Sequence, residues 1–557
     1  MTLRRVAFCW LVLSAACWPG SARCERLFVG ILEADGYQSV LYGASAFSRV
    51  ADLSLALELV SAGMAESFLL PNNSCVAPSE LFRVVQTVDP AQPRNDDNPA
   101  NVAILPLSGN EGAVHTLFAT AYSSRRDIPP LTWYERPKVT NLPARVALAF
   151  TGKHLLTSRS QEAIQWAWDN RSRLVDAPSQ SIPGTVRVLV NPQRLADLLG
   201  ARSEQAASVF DTDAFLRDFE TFSFSLTLDG QAVTLSLRGK PKPGSALETL
   251  ALSLRSPLSQ LWNGFPDDAF LVSVSGCDKE ESWNAYLNQS LGNLARPLPQ
   301  DLPRTSFSGD RLSYLSATRD KQGLCWTRIE PVKSAEPVQE AIKRLQTVKV
   351  ADGVALVKQP ARRRGSVDIE TYSLSFRQPE PGEKGSAQAA EPSTLHTLMA
   401  LFLKQAVVEA AVTEGYLVLT LGPRQSLDDQ LESLRFREKA LPLPRKIALQ
   451  DPALVSTLCL GGTLQLASLL RQTVSIMPDV KPEHLRAFPV WGDGMAFGIC
   501  AAEDHTLTAS IKVQSTEIAA LQRINRDGRE VLQELVFQLF SNQVLHLQGE
   551  GKDESAK

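Results

Sequence analysis

The sequence predicts an α+β fold. It reads as two tandem pseudo-repeats in the order A–B–A′–B′, each of two small modules with mainly antiparallel sheets packed on helices, plus a C-terminal helix. Three observations predict this. A strand, a Gly turn, a second strand and a helix at Thr151–Thr157 and Ala163–Trp168 return at Glu414–Thr420 with Ser426, Leu427 and Leu431. The match is gapless at one offset, 415 − 152 = 263, pairing Gly152 with Gly415, Thr157 with Thr420, Ile164 with Leu427 and Trp168 with Leu431. Further on, Leu195-Ala196-Asp197-Leu198-Leu199 is echoed by Leu466-Ala467-Ser468-Leu469-Leu470, and each echo is followed by a pair of strand-like runs. Short apolar runs match by chance, so the weight rests on the repeated order of elements; two copies at so long a period imply tandem domains rather than a solenoid.

Module A is placed at 25–176, B at 185–262, A′ at 265–440 and B′ with the C-terminal helix at 446–547; 548–557 reads as a disordered tail. In A, Arg26–Leu32 is a strand, Ala46–Ala62 carries helical spacing through Phe47, Val50, Leu53, Leu57 and Val60, Asn101–Pro106 is a strand and Glu111–Ala121 a helix. In B, Thr185–Val190 is a strand before the helix of Leu195–Leu199. Phe222–Leu228 and Ala232–Leu237 then alternate across Asp229-Gly230, a turn signal because Gly tolerates positive φ. A′ shows strands at Pro266–Val274 and Leu312–Ala317, helices at Glu280–Leu294, Val338–Leu345 and Leu395–Gln405, and a Pro/Glu/Gly-rich loop at Gln378–Ser393. B′ shows a strand at Leu458, the helix of Leu466–Leu470, and strands Gly494–Ala502 and Leu507–Val513 meeting across Glu503-Asp504-His505. The last helix, Glu517–Leu547, carries an apolar stripe suited to core packing rather than to a membrane surface, which would want more basic residues.

A chain of 557 residues exceeds one core and suits roughly three to five domains of ordinary size. The formal charge of −3 gives no electrostatic case for nucleic acid or anionic membrane. Residues 1–22 read as a secretory signal peptide: Arg4 and Arg5, the apolar run Val6–Ala16, then Gly20-Ser21-Ala22 before the cut. Lipoprotein processing at Cys17 is the competing reading, and Ser14 fits it poorly. No later stretch is long and apolar enough for a transmembrane helix. The predicted location is therefore periplasmic or secreted. Six cysteines remain after the signal, and an even count in an exported chain invites disulfides. The candidate pairs are Cys277 with Cys325, Cys459 with Cys500, and Cys24 with Cys75; buried thiols are the alternative for some of them.

Catalytic signals are weak. No two of the six histidines, at 115, 154, 396, 484, 505 and 546, have metal-ligand spacing. His154 lies in the repeated strand and reads as structural. Gly43-Ala44-Ser45-Ala46 approaches a nucleophile elbow, but Phe47 stands where the second Gly belongs. Gly461-Gly462-Thr463 lacks the Lys of a phosphate loop. Asn95–Asn98 offers oxygens without EF-hand spacing. Asp211 with Asp213 and Asp428 with Asp429 read as helix starts. Arg362-Arg363-Arg364-Gly365 reads as a solvated loop that an anionic partner or a protease would meet, and Trp133, Tyr134, Trp166 and Trp168 are the candidates for sugar stacking. The expectation is an exported, non-enzymatic binding or scaffold protein of a bacterial envelope. It would need no cofactor or metal, and its partner would be an unidentified protein or envelope component, with a groove between the halves as the binding place. The alternatives are an exported hydrolase whose site assembles only in three dimensions, and an apolar-ligand carrier.

Overall fold

The computed structural model describes residues 27–51, 64–65, 68–88, 100–135, 145–175, 184–203, 212–257, 261, 265–266, 269–278, 306–318, 323–344, 349–351, 354–376, 406–435, 458–477, 480–489, 492–531 and 533–534. The signal segment, Cys24, the loop tip at 95–98, the helices expected at 280–294 and 395–405, the loop at 378–393, most of the last helix and the tail lie outside these residues. The architecture is mixed α+β with antiparallel sheets. Two compact units divide the chain, 1–248 with 505–510, and 249–504 with 511–557.

The first unit is built on strands β1 (Leu27–Ala34), β2 (Phe82–Val88), β3 (Ala100–Pro106), β4 (Ser124–Ile128), β5 (Leu131–Glu135), β6 (Arg145–Thr151), β7 (His154–Ser158), β8 (Val186–Val190), β9 (Phe219–Leu228) and β10 (Ala232–Pro241). Its helices include α1 (Tyr37–Val50), α2 (Glu111–Ala121), α3 (Gln161–Asp169), α4 (Arg171–Val175), α5 (Pro192–Ser203) and α6 (Thr212–Arg217). Among the described strands of this unit these neighbours are antiparallel, and the spatial order is β4-β5-β6-β7-β3-β2-β1-β8-β9-β10. β1 is therefore an inner strand, held by β2 on one side and β8 on the other, so one sheet runs through the stretches assigned to A and B. Alternation sorts the side chains. Ala103, Leu105, Leu148 and Leu155 meet Val114 and Phe118 of α2 on one face; Val102, Ile104, Ala149 and Leu156 meet Ala163, Ile164 and Ala167 of α3 on the other. Side-chain caps start both helices: Asn110 accepts from the Ala113 N–H at 3.0 Å, and Ser160 from the Ala163 N–H at 3.2 Å.

The second unit contains β11 (Leu271–Gly276), β12 (Asp310–Ala317), β13 (Leu324–Pro331), β14 (Lys349–Ala351), β15 (Val354–Arg364), β16 (Val367–Phe376), β17 (Val407–Thr413), β18 (Tyr416–Gly422), β19 (Leu458–Leu464) and β20 (Met495–Ala501). β21 (Leu507–Gln514) follows, shared between the two units. The order is β14-β15-β16-β17-β18-β13-β12-β11-β19-β20, again antiparallel throughout. Helices α7 (Ala335–Lys343), α8 (Ser426–Arg435), α9 (Leu466–Ser475) and α10 (Ser515–Arg523) accompany it. Val338 and Ile342 of α7 pack with Leu417 and Leu419 on one face, while Leu427 and Leu431 of α8 pack with Val274, Leu312, Ile329 and Val418 on the other.

Turn chemistry corrects two readings. The β6–β7 loop is Gly152-Lys153, since Thr151 pairs with His154; the β17–β18 loop is Glu414-Gly415, since Thr413 pairs with Tyr416. Gly152 is thus the first loop residue and Gly415 the second, and aligning the two glycines sets the strands one residue out of step. That slip turns every side chain to the wrong face. The cause is local. Only Gly152 has positive φ in the first loop (56°), whereas Glu414 (50°) and Gly415 (79°) both have it in the second, and the two hairpin turn types place glycine differently. The β9–β10 turn forms as expected but not through a left-handed Gly230. The Asp229 carboxylate instead accepts from the N–H groups of Gln231 and Ala232, both at 2.7 Å.

The expected disulfides are not formed among the described cysteines. Cys75, Cys277, Cys325, Cys459 and Cys500 are all buried and none is bridged. Topology explains it. Cys277 follows β11 and Cys325 lies in β13, with β12 between them, and a disulfide does not span two strand spacings. Cys500 sits opposite Leu458, and the ladder passes over Cys459 at a bulge.

Candidate binding site

In the first sheet, a row of directly paired residues crosses four strands: Ile104 on β3, Arg83 on β2, Glu33 on β1 and Arg187 on β8. Arg83 Nε donates to Glu33 Oε1 at 2.8 Å. Its Nη1 donates to the carbonyls of Leu174 (3.0 Å) and Val175 (2.8 Å), the last residues of α4, where helical carbonyls lack intrahelical donors. Arg187 Nε lies 3.9 Å from Glu33 Oε2, and its Nη2 donates to Asp35. The side chains of Glu33, Arg83 and Arg187 are 2%, 6% and 7% exposed, but that of Asp35 is 51%. The buried part of the cluster therefore holds two guanidiniums against one carboxylate. Beside it opens a pocket of about 330 Å³ lined by Glu80, Leu81, Arg83, Ile104, His154 and Val175. That volume falls within the range of small-molecule sites.

A second polar group in this unit joins α2 to β5. His115 Nδ1 and the Tyr134 hydroxyl are 2.8 Å apart, with Phe150 edge-on to the imidazole. Burial, then the charge of Arg125, holds His115 below the ordinary histidine range. Burial pushes the Tyr134 hydroxyl up, away from the phenolate that an activated nucleophile requires. On the exposed β4, Arg125 Nε donates to Asp127 Oδ1 at 3.0 Å.

In the second unit the charged residues are engaged in holding elements together. Glu409, fully buried, accepts from the N–H groups of Gln425 (3.2 Å) and Leu427 (3.0 Å) at the start of α8. Arg362 donates to Glu409 (3.1 and 2.9 Å) and to Asp428 (2.6 Å). Glu517 accepts from the N–H of Ala467 at 2.8 Å and of Gly494 at 3.1 Å. Glu330 accepts from Arg311 Nε at 2.6 Å and from Arg328 Nε at 2.5 Å. Burial alone would raise its carboxyl, but the two arginines outweigh that and hold it below the usual range.

The residues flagged from sequence fall as follows. His154 does line the pocket. Arg362–Arg364 end strand β15 at its turn instead of forming a loop; Arg362 and Arg364 reach Asp428, and Arg363 reaches Asp368. Gly43–Ala46 lies inside α1 and Gly461–Thr463 inside β19, so neither is a strand-to-helix turn. Asp428 and Asp429 occupy the first turn of α8, while Asp213 lies in α6 and Asp211 outside the described residues. Trp133 and Tyr134 are buried in the sheet. Trp166 and Trp168 are half-buried, with the Arg171 guanidinium 4.6 Å over the Trp168 ring. Arg83 and Glu33 were not signalled, because 50 residues separate them and each stands singly in an apolar run.

No family model matches the chain, and no curated protein matches it. Among solved structures, that described as "Structure of crystal form I of TP0453" matches at 12% identity, covering 76% of this chain and 99% of that one. The TM-score is 0.15, too low for a shared fold to be read from it. Among the described residues, no helix is long and apolar enough to cross a membrane.

Proposed function

We propose that this chain is an exported, non-enzymatic binding or scaffold protein of a bacterial envelope, built from two copies of one α+β unit. The observation that supports it best is strand order. Read outward from β1, the first sheet runs β2, β3, β7, β6, β5, β4 on one side and β8, β9 on the other. Read outward from β11, the second runs β12, β13, β18, β17, β16, β15 and then β19, β20. Strand for strand these follow the same chain order. The helices agree: α2 and α7 follow the third strand of each unit, α3 and α8 follow the hairpin, and α5 and α10's predecessor α9 follow β8 and β19. Several charged groups that offer chemistry in the sequence, Arg362 and Asp428 among them, serve as internal ion pairs or helix caps. Those roles suit a scaffold.

Export rests on the basic n-region, apolar run and small residues of 1–22. Amino-terminal sequencing and native mass spectrometry of protein from the cell envelope test the reading. A chain starting at Arg23 that carries a partner of discrete mass is the expected result. An uncut chain recovered from the cytoplasm would overturn it.

A further inference from the structure

The two sheets end on strands built in different ways. In the second sheet, β15 carries the devices that keep a strand edge from pairing with another chain. Its ladder to β16 slips between Gln359 and Arg362, Pro360 interrupts it, and β14 lies against its first residues. The first sheet ends on β4, which contains no proline and keeps one register with β5 from Ser124 opposite Glu135 to Ile128 opposite Leu131. Every residue of β4 is exposed, and among the described residues it has no ladder partner on the side away from β5.

A two-residue turn, Pro129-Pro130, joins β4 to β5, so Ile128 and Leu131 close the hairpin by bonding each other. Antiparallel ladders repeat such bonded pairs at every second residue. Ser124, Arg126 and Ile128 therefore bond toward β5, and the N–H and C=O groups of Arg125 and Asp127 face outward. An edge of this kind extends its sheet by main-chain bonding to an added strand, and its side chains choose that strand.

We propose that β4 pairs antiparallel with β4 of a second copy of this chain, about a two-fold axis at Arg126. Charge complementarity selects this occupant. In this register Arg125 lies opposite Asp127 of the second copy, and Asp127 opposite its Arg125, so both outward-facing pairs join opposite charges. An axis at Arg125 would set two guanidiniums together, and an axis at Asp127 two carboxylates. Within each strand Arg125 Nε is already 3.0 Å from Asp127 Oδ1, and the pairing leaves that contact in place. The four groups alternate in sign around the axis, and the attraction between strands comes from the backbone rather than from an unpaired charge. Arg126 is the exception, because it meets its own copy across the axis. With that repulsion and only five residues in the strand, the dimer is weak and reversible.

Sedimentation equilibrium of the full chain tests this. The mass should rise from monomer toward dimer between micromolar and millimolar concentration. Asp127→Arg sets like charges across both pairs and should weaken the dimer about tenfold or more; adding Arg125→Asp should restore it. Arg126→Thr should tighten it severalfold by removing the repulsion at the axis. Hydrogen exchange locates the contact. At high concentration the amides of Arg125 and Asp127 should gain protection, while that of Arg126, bonded to β5 in either state, should not change. A monomer at every concentration overturns the proposal. So does a dimer indifferent to Asp127→Arg, or one in which the Arg125 and Asp127 amides exchange as fast as in the monomer. Should Asp127→Arg disturb the strand itself, exchange in the wild-type chain still decides.

Discussion

Burial, and then the charge of the exposed Arg125 guanidinium, disfavour the charged form of His115. Because its folded value lies below the ordinary 6.5, the unfolded chain takes up a proton as pH falls that the folded chain refuses. The stability it protects is complete above about 6.5 and is lost as pH falls through the folded value. Thermal unfolding at neutral and mildly acid pH should show a falling midpoint, and His115→Asn should reduce that fall. Glu330 has the same sign in a lower window. Its stabilisation is present above the ordinary carboxylate range and disappears as pH drops through its depressed value. Glu409 makes the largest single-residue prediction. Replacing it with Ala takes from Arg362 one of its two carboxylates and uncaps α8, so urea unfolding should report a loss of about 1–3 kcal/mol. A loss under about 1 kcal/mol would mean that the pair is solvated rather than buried.

At the scale of elements, the sequence was most legible where local chemistry acts alone. Glu111–Ala121 is the helix expected, because Asn110 caps it and Val114 and Phe118 lie on one stripe. The hairpin before α3 is legible too, yet its register against the second hairpin is not, since the turn type moves the glycine from the first loop position to the second. Strands β4 and β15 escape a sequence reading for different reasons. β4 is exposed along its whole length and so shows no alternation, and β15 ends in three arginines that resemble solvated loop until Asp428, 66 residues from Arg362, is brought to them. β13 was hidden by Arg328 and Glu330, whose partnership makes a charged strand buriable. The β17–β18 turn also makes a prediction. Glu414 holds φ of 50° without the tolerance of Asn or Gly. Glu414→Asn should therefore raise the unfolding free energy by about 0.5–1 kcal/mol in urea titration. No gain would indicate that the Glu414 side chain offsets its backbone strain.

Over the whole molecule, the sheet, not the helix, is the organising layer, and in each unit helices pack against both faces of its inner strands. That explains why the cysteine count misled: the described thiols are distributed as small core side chains, and burial pushes those of Cys75, Cys325 and Cys459 up, away from reactivity. Iodoacetamide should leave the five described thiols unmodified in native buffer and reach all five in denaturant without any reductant. Fewer adducts in denaturant would mean that bridges exist after all. The pocket was the least legible feature. His154 could be seen as a lone strand residue, but the Arg83–Glu33–Arg187 row needs three strands from distant parts of the chain, and no spacing in one dimension foreshadows it.

The inner position of β1 has a temporal side. Among the described strands this one is made before the others, yet its two edges wait for β2 and for β8, the latter beginning roughly 150 residues later. β11 waits in the same way for β19. The β8-facing edge of β1 therefore stays open until most of the unit's strands have been made. Pulse-labelled hydrogen exchange during refolding should find the β6–β7 hairpin protected before β1, and a β1 protected first would refute that order.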